Sequence, residues 1–188
     1  PMACAVHAVR RAGVGPGDSV AVIGIGAVGA LALHAARARD AGRVFAVVRG
    51  EHKAEVAREM GAEPVTVGPG TTAGPELAKL DGTMDVVIES SGDPEAVALA
   101  LRLAAPGGRV CLYSVYPRSS AIDLNQIAEF KELTLVGGHL APDCFPEAVE
   151  LLSTVPAELL VTGVHPLTDL TLALGPARGP RIKEVVVP

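Results

Sequence analysis

Tryptophan is absent from these 188 residues, and aromatic side chains make up 3% of them, two Tyr and three Phe. So few rings leave little to stack nucleic-acid bases on, and they require a core built from Ala, Val and Leu. Excess positive charge is also missing: 16 Lys and Arg stand against 21 Asp and Glu, a formal net charge of −5. A chain of that sign offers no basic stripe to a phosphate backbone, so nucleic acid is not expected as a partner. Cysteine is scarce and odd in number. Cys4, Cys111 and Cys144 lie far apart, without the spacing of a disulfide framework or a metal knuckle, and read as small buried apolar residues. No apolar run approaches the ~18 residues that span a bilayer, and no signal-peptide pattern opens the chain. The cytoplasm is the expected compartment, with no membrane partner.

What is present is aliphatic and punctuated. Hydrophobic residues make up 49% and charged residues 20%, a globular balance. The chain opens on Pro1-Met2 and passes at once into "ACAVHAVRRAGV", an amphipathic helix already under way, which suggests an excised part of a longer protein. Apolar β-like runs then alternate with helical patterns. The strands expected are 19–24, 43–48, 63–67, 84–89, 109–115 and 133–138. The helices expected between them are Ala27 to Ala41, Lys53 to Met60, a weak one near Glu76 to Leu80, Pro94 to Leu103, and "AEFKE" at 128–132. A Gly/Pro/Thr loop is expected at 68–75. Near-continuous Val/Ile/Leu strands alternating with helices argue for an α/β fold. The expectation is a Rossmann doubly wound parallel sheet of six strands in the order 3-2-1-4-5-6, with helices on both faces. Residues 1–140 are read as that domain. Residues 141–188 are read as an extension packing on it, with a helix in "FPEAVELLST", an extended "LVTGVHPL", a helix in "TDLTLALG" and a last strand in "RIKEVVVP".

Between the first strand and its helix stands Gly24-Ile25-Gly26-Ala27-Val28-Gly29, a GxGxxG turn. In such a turn the first glycine permits the sharp bend. The second lets the backbone approach a pyrophosphate, and the third lets helix and strand pack closely. Unpaired N–H groups at the helix start then face the phosphates. An NAD site usually carries Asp or Glu about 20 residues onward. Here Val48 holds the expected acid position, Arg49 follows, and Lys53 lies one helical turn on. Cations without a carboxylate invite a ribose 2′-phosphate, so NADP is expected over NAD. Glu51 keeps NAD as the alternative.

Five segments in order resemble the medium-chain dehydrogenase/reductase family, in its zinc-type alcohol and polyol dehydrogenase branch. They are "HAVRRAGVGPGDSVAVIGIGAVG", "AREMGAEPV", "DVVIESSGDPEAVALALRLAAPGGRVCLYSVY", "KELTLVGG" and "RIKEVVVP". The resemblance implies hydride transfer between a nicotinamide and a small alcohol or carbonyl substrate. It implies that Ser90 and Ser91 line the cofactor crevice and that Tyr113, Ser114, Val136 and Gly137 lie near the nicotinamide. It also implies that Lys183 reaches the pyrophosphate and that a dimer (or tetramer) forms through the sixth strand. The domain that holds zinc and the proton relay in such relatives has no counterpart here, so no catalytic or metal-binding residue is assigned, and this portion alone is expected to turn over nothing. Two other readings stay open: an S-adenosylmethionine-dependent methyltransferase on the same plan, and a dinucleotide-sensing module without chemistry.

Overall fold

A computed structural model describes residues 1–68, 74–176, 179 and 181–188. Of the loop expected at 68–75, residues 69–73 lie outside the described residues. The chain runs α1 (Met2–Arg11), β1 (Ser19–Ile23), α2 (Ala27–Arg37), β2 (Arg43–Val48), α3 (Glu51–Glu59), β3 (Glu63–Thr66), α4 (Pro75–Ala78), β4 (Met84–Glu89), α5 (Pro94–Leu103), β5 (Ala104–Leu112), β6 (Thr134–Gly137), α6 (Phe145–Leu152), β7 (Val161–Pro166), α7 (Leu170–Leu174) and β8 (Lys183–Val187). Six strands form one parallel sheet in the order β3-β2-β1-β4-β5-β6, as the doubly wound reading expects. β7 and β8 pair separately, also in parallel.

The sheet is buried on both faces because the middles of its central strands are apolar on both sides. Along a strand, side chains alternate between faces. Val20 and Val22 join one core, with Val6, Leu33 and Ile88, beneath α1 and α2. Ala21 and Ile23 join the other, with Phe45, Leu99 and Leu103, beneath α5. Each wholly buried leucine stabilises the fold by about 2 kcal/mol. α6 is tied to this body through Glu147, which accepts from Arg10 Nη2 at 2.5 Å and Arg39 Nη2 at 2.8 Å. No helix among the described residues is long and apolar enough to cross a membrane.

Several expected boundaries shift, for local reasons. α2 stops at Arg37 rather than Ala41, because Asp40 takes a positive φ of 58° and the chain turns into β2. α3 starts at Glu51, two residues early, after Gly50 at φ 85°. β5 begins at Ala104 and ends at Leu112, not Val115. Its neighbours β4 and β6 stop at Glu89 and Gly137, so nothing remains for residues 113–115 to pair with beyond the single bond from Tyr113 N to the Glu89 carbonyl at 2.8 Å.

The helix expected at 128–132 is absent. A 3₁₀ turn at Leu124–Gln126 leads into irregular turns, and Glu132 adopts φ 49°. Lys131 explains the outcome. Its Nζ donates to the carbonyls of Leu101, Arg102 and Ala104 at 2.9, 2.8 and 2.8 Å. It closes the end of α5, where helix carbonyls lack partners, and that contact outweighs the weak local helical preference. In the last fifty residues, "TDLTLALG" divides into a 3₁₀ turn at Leu167–Asp169 and the short α7.

Candidate functional site

The first glycine of the turn sits at φ 90°, a backbone region open to glycine. It lies so close to the β4–α5 turn that a Cβ there would stand 2.5 Å from Ser91 Cα. Gly29 is tighter still: its Cβ would stand 2.0 Å from the Gly24 carbonyl oxygen and 2.8 Å from Ser90 Oγ. That hydroxyl donates to the same carbonyl at 2.8 Å and to the Ile23 carbonyl at 3.1 Å. Gly26 differs, since a Cβ there meets nothing within 4 Å. It precedes α2 without any side chain capping the helix. The first N–H groups of α2 are therefore left for a ligand, with the positive end of the helix dipole behind them.

A cleft of about 270 Å³ opens beside this turn. Gly24, Gly26, Ser90 and Ser91 border it together with Arg49 and Lys53, and Val47, Val67, Ala96 and Leu99 supply apolar lining. Phosphate-facing amides, two cations and an apolar slot together suit a dinucleotide's diphosphate, ribose and base. Val48, expected at the site, does not line the cleft: its side chain is buried in the core beneath α2. Glu51 does not reach the cleft and pairs instead with Arg58 at 2.7 Å. Asp93, which the sequence reading did not single out, does line it, 3.0 Å from Arg49.

The other expected contacts lie elsewhere. Ala27 and Lys183 border a second, almost wholly apolar cavity of about 390 Å³, together with Met2, Leu31, Phe145 and Leu160. Val28 is half-buried against the core on the α1 side. Tyr113, Ser114, Val136 and Gly137 cluster at the carboxyl ends of β5 and β6. There the Tyr113 ring covers Gly138, stands edge-on to His7 with centroids 6.1 Å apart, and donates its hydroxyl to the Leu140 carbonyl. Burial, with Cys4 beside it, pushes that phenol well above its ordinary range.

One functional group escaped the sequence reading altogether. Glu89, at the end of β4, is the one wholly buried charged residue among those described. Its Oε1 accepts from Ser91 N at 2.7 Å and from the Ser91 hydroxyl, and its Oε2 accepts from the Tyr116 hydroxyl. Burial first, and the carboxylate second, push the Tyr116 phenol far up, so it remains a donor at any physiological pH. Glu89 thereby fixes the turn against which Gly24 lies. The signal was an acidic residue closing an otherwise apolar strand, "MDVVIE".

Among the described residues no three His, Cys, Asp or Glu side chains converge to hold a metal. This part of the chain does not fit a zinc ion, and no step is assigned through one.

Comparison with known proteins agrees with this geometry. The chain is 32% identical over 179 residues to erythritol/L-threitol dehydrogenase of Mycolicibacterium smegmatis, covering 93% of this chain and 49% of that protein. It is 33% identical over 182 residues to L-threonine 3-dehydrogenase of Bacillus velezensis, covering 90% and 50%. Among solved structures, a protein assigned as a zinc-binding dehydrogenase from Sinorhizobium meliloti, bound to NADP, superposes with a TM-score of 0.90 at 30% identity, covering all of this chain and 57% of that one. The 2R,3R-butanediol dehydrogenase of Bacillus subtilis gives 0.84 at 30% identity, covering 100% and 56%. The chain thus spans about half the length of the curated relatives it matches. The profile of the zinc-binding dehydrogenases matches residues 27–154, from the first turn of α2 to just beyond α6, and on that match the chain belongs to the zinc-binding dehydrogenase family.

Proposed function

We propose that this chain is the dinucleotide-holding half of an NADP-preferring oxidoreductase that acts on a small alcohol or its carbonyl product. The observation behind this reading is the uncapped start of α2, which opens through Gly26 into a cleft walled by Arg49 and Lys53. The bound nicotinamide would supply or accept the hydride. This chain's residues bind and orient: α2 amides take the diphosphate, Arg49 and Lys53 take a 2′-phosphate, and the apolar wall takes the base. The loop ends of β5 and β6, with Tyr113, Ser114, Val136 and Gly137, direct the reactive ring toward the remaining half of the protein. Lys183, which lines the second cavity beside Ala27 rather than this cleft, would meet the diphosphate only from the start of α2. The Sinorhizobium protein's NADP supports the choice of dinucleotide, and the relatives' polyol, diol and hydroxy-amino-acid names support the substrate class.

Residues 1–140 form the dinucleotide-binding unit in this reading and residues 141–188 an extension packed on it. Three free thiols are in keeping with a reducing compartment, the cytoplasm.

Calorimetric titration of the full-length protein tests the assignment. NADPH is expected to bind at least roughly tenfold tighter than NADH, the effect of one favourable charge-assisted contact, and S-adenosylmethionine not at all. Tighter binding of NADH would overturn the NADP preference, and binding of S-adenosylmethionine alone would overturn the oxidoreductase.

We further propose a homodimer through β6. It forms one edge of the sheet, and an unpaired edge invites a partner strand. Sedimentation is expected to give a dimer at micromolar concentration, and a Leu135→Pro variant, which removes an N–H on the side of β6 away from β5, is expected to run as a monomer. A wild-type monomer would refute the contact.

A further inference from the structure

Asp93 lines the same cleft as Arg49, and its Oδ2 lies 3.0 Å from Arg49 Nη2. Two bonds besides the ion pair hold its position, and a third anchors its partner. Its Oδ1 accepts from Glu95 N at 3.1 Å as the N-cap of α5, its own N–H donates to Ser91 Oγ at 3.1 Å, and Ser91 is bound in turn to buried Glu89. Asp93 is three-quarters buried while Arg49 is half exposed, so the carboxylate is the fixed member of the pair and the guanidinium the adjustable one. The Glu95 amide, and then Arg49, hold this carboxyl below the usual carboxylate range, so it is charged at neutral pH.

Resting on the NADP reading above, we propose that Asp93 is a specificity-determining residue, whose carboxylate competes with a ribose 2′-phosphate for the Arg49 guanidinium and so narrows the preference for phosphorylated over unphosphorylated dinucleotide. A dianionic phosphate brought to Arg49 meets Asp93 on the same guanidinium. At such separations two like charges near a protein surface repel enough to alter affinity by an order of magnitude. An unphosphorylated ribose brings no charge and meets no such repulsion. Lys53, on the same cleft and without a hydrogen bond to Asp93, leaves part of the attraction intact. Val48-Arg49 alone would therefore overstate the preference, because the counter-ion lies 44 residues further along the chain.

The test is the pair of dissociation constants for NADPH and NADH in the full-length protein and in Asp93→Asn, Arg49→Ala and the double variant. Asparagine still accepts the Glu95 amide, since it caps helices about as well as aspartate, so folding is preserved and thermal melting verifies it. In Asp93→Asn, NADPH is expected to bind about tenfold tighter and NADH within about twofold of wild type. Arg49→Ala is expected to leave only the part of the NADPH preference that Lys53 supplies, and Asp93→Asn added to it is expected still to tighten NADPH severalfold, since the repulsion between carboxylate and phosphate does not need the guanidinium. An unchanged NADPH-to-NADH ratio in Asp93→Asn overturns the proposal while leaving the NADP reading standing. Weaker NADPH binding overturns it too, by making Asp93 a support for Arg49 rather than a competitor. If the wild-type protein binds neither dinucleotide, the underlying reading fails and this proposal falls with it.

Discussion

Gly29→Ala is expected to cost about 3 kcal/mol of stability, at the upper end of overpacking penalties, and to abolish dinucleotide binding. The new methyl would lie 2.0 Å from the Gly24 carbonyl oxygen and 2.8 Å from Ser90 Oγ. Neither obstacle can yield cheaply. The carbonyl belongs to a glycine already held against Ser91, and the hydroxyl is fixed by two bonds to the backbone at the end of β1. Relief requires α2 to move away from β1, which takes its free amides out of register with the cleft. Gly26→Ala is the informative contrast. Its Cβ meets nothing within 4 Å, and its φ of −94° is open to alanine. That variant is expected to melt like wild type yet bind NADPH roughly tenfold more weakly, because the methyl occupies the path of the diphosphate. Thermal melts and calorimetry on both variants separate the packing role from the binding role. Equal, small losses of binding in the two would remove diphosphate recognition from this turn.

Glu89→Ala is expected to lose about 3 kcal/mol, the cost of removing a buried side chain that accepts from three part-buried donors. The Tyr116 hydroxyl, the Ser91 hydroxyl and the Ser91 N–H all converge on that one carboxylate, which itself has no exposed surface, so one truncation removes three hydrogen bonds and leaves a cavity. Glu89→Gln keeps the volume but turns an NH₂ toward one set of donors, so it is expected to recover only part of the loss. Both variants should also weaken dinucleotide binding, since Ser91 abuts Gly24 and holds Asp93. Urea unfolding gives the stability. A loss under about 1 kcal/mol for the alanine variant would mean that the network is replaceable.

The two arguments differ in how much of them could be read from residues alone. The glycine turn was legible because its constraint is local: strand, three glycines and helix lie within twenty residues, and steric freedom is a property of each glycine. The role of Glu89 was not, since its partners Ser91 and Tyr116 become meaningful only when β4 and β5 lie side by side. Strand positions were legible from apolar runs, while ends drifted where a tertiary contact set them. Lys131 turned an expected helix into irregular chain by reaching the carbonyls of Leu101 and Arg102 in α5 and of Ala104 at the start of β5.

The expected cofactor contacts divide along the same line. Arg49 and Lys53 follow β2 closely in sequence and share a cleft with the glycines. Lys183 and Tyr113, named through family resemblance, border other parts of the surface.

By itself, then, the sequence determined the alternating architecture, the parallel sheet and the place of the glycine turn. Each follows from hydrophobic period, turn chemistry and backbone freedom, which act over a few residues at a time. Tertiary structure alone decided which charges face one another. It set Asp93 against Arg49, sealed Glu89 beneath Tyr116 and closed α5 with Lys131. Ion pairs and buried hydrogen bonds depend on separation in space, and the chain brings those partners together only once its sheet has formed.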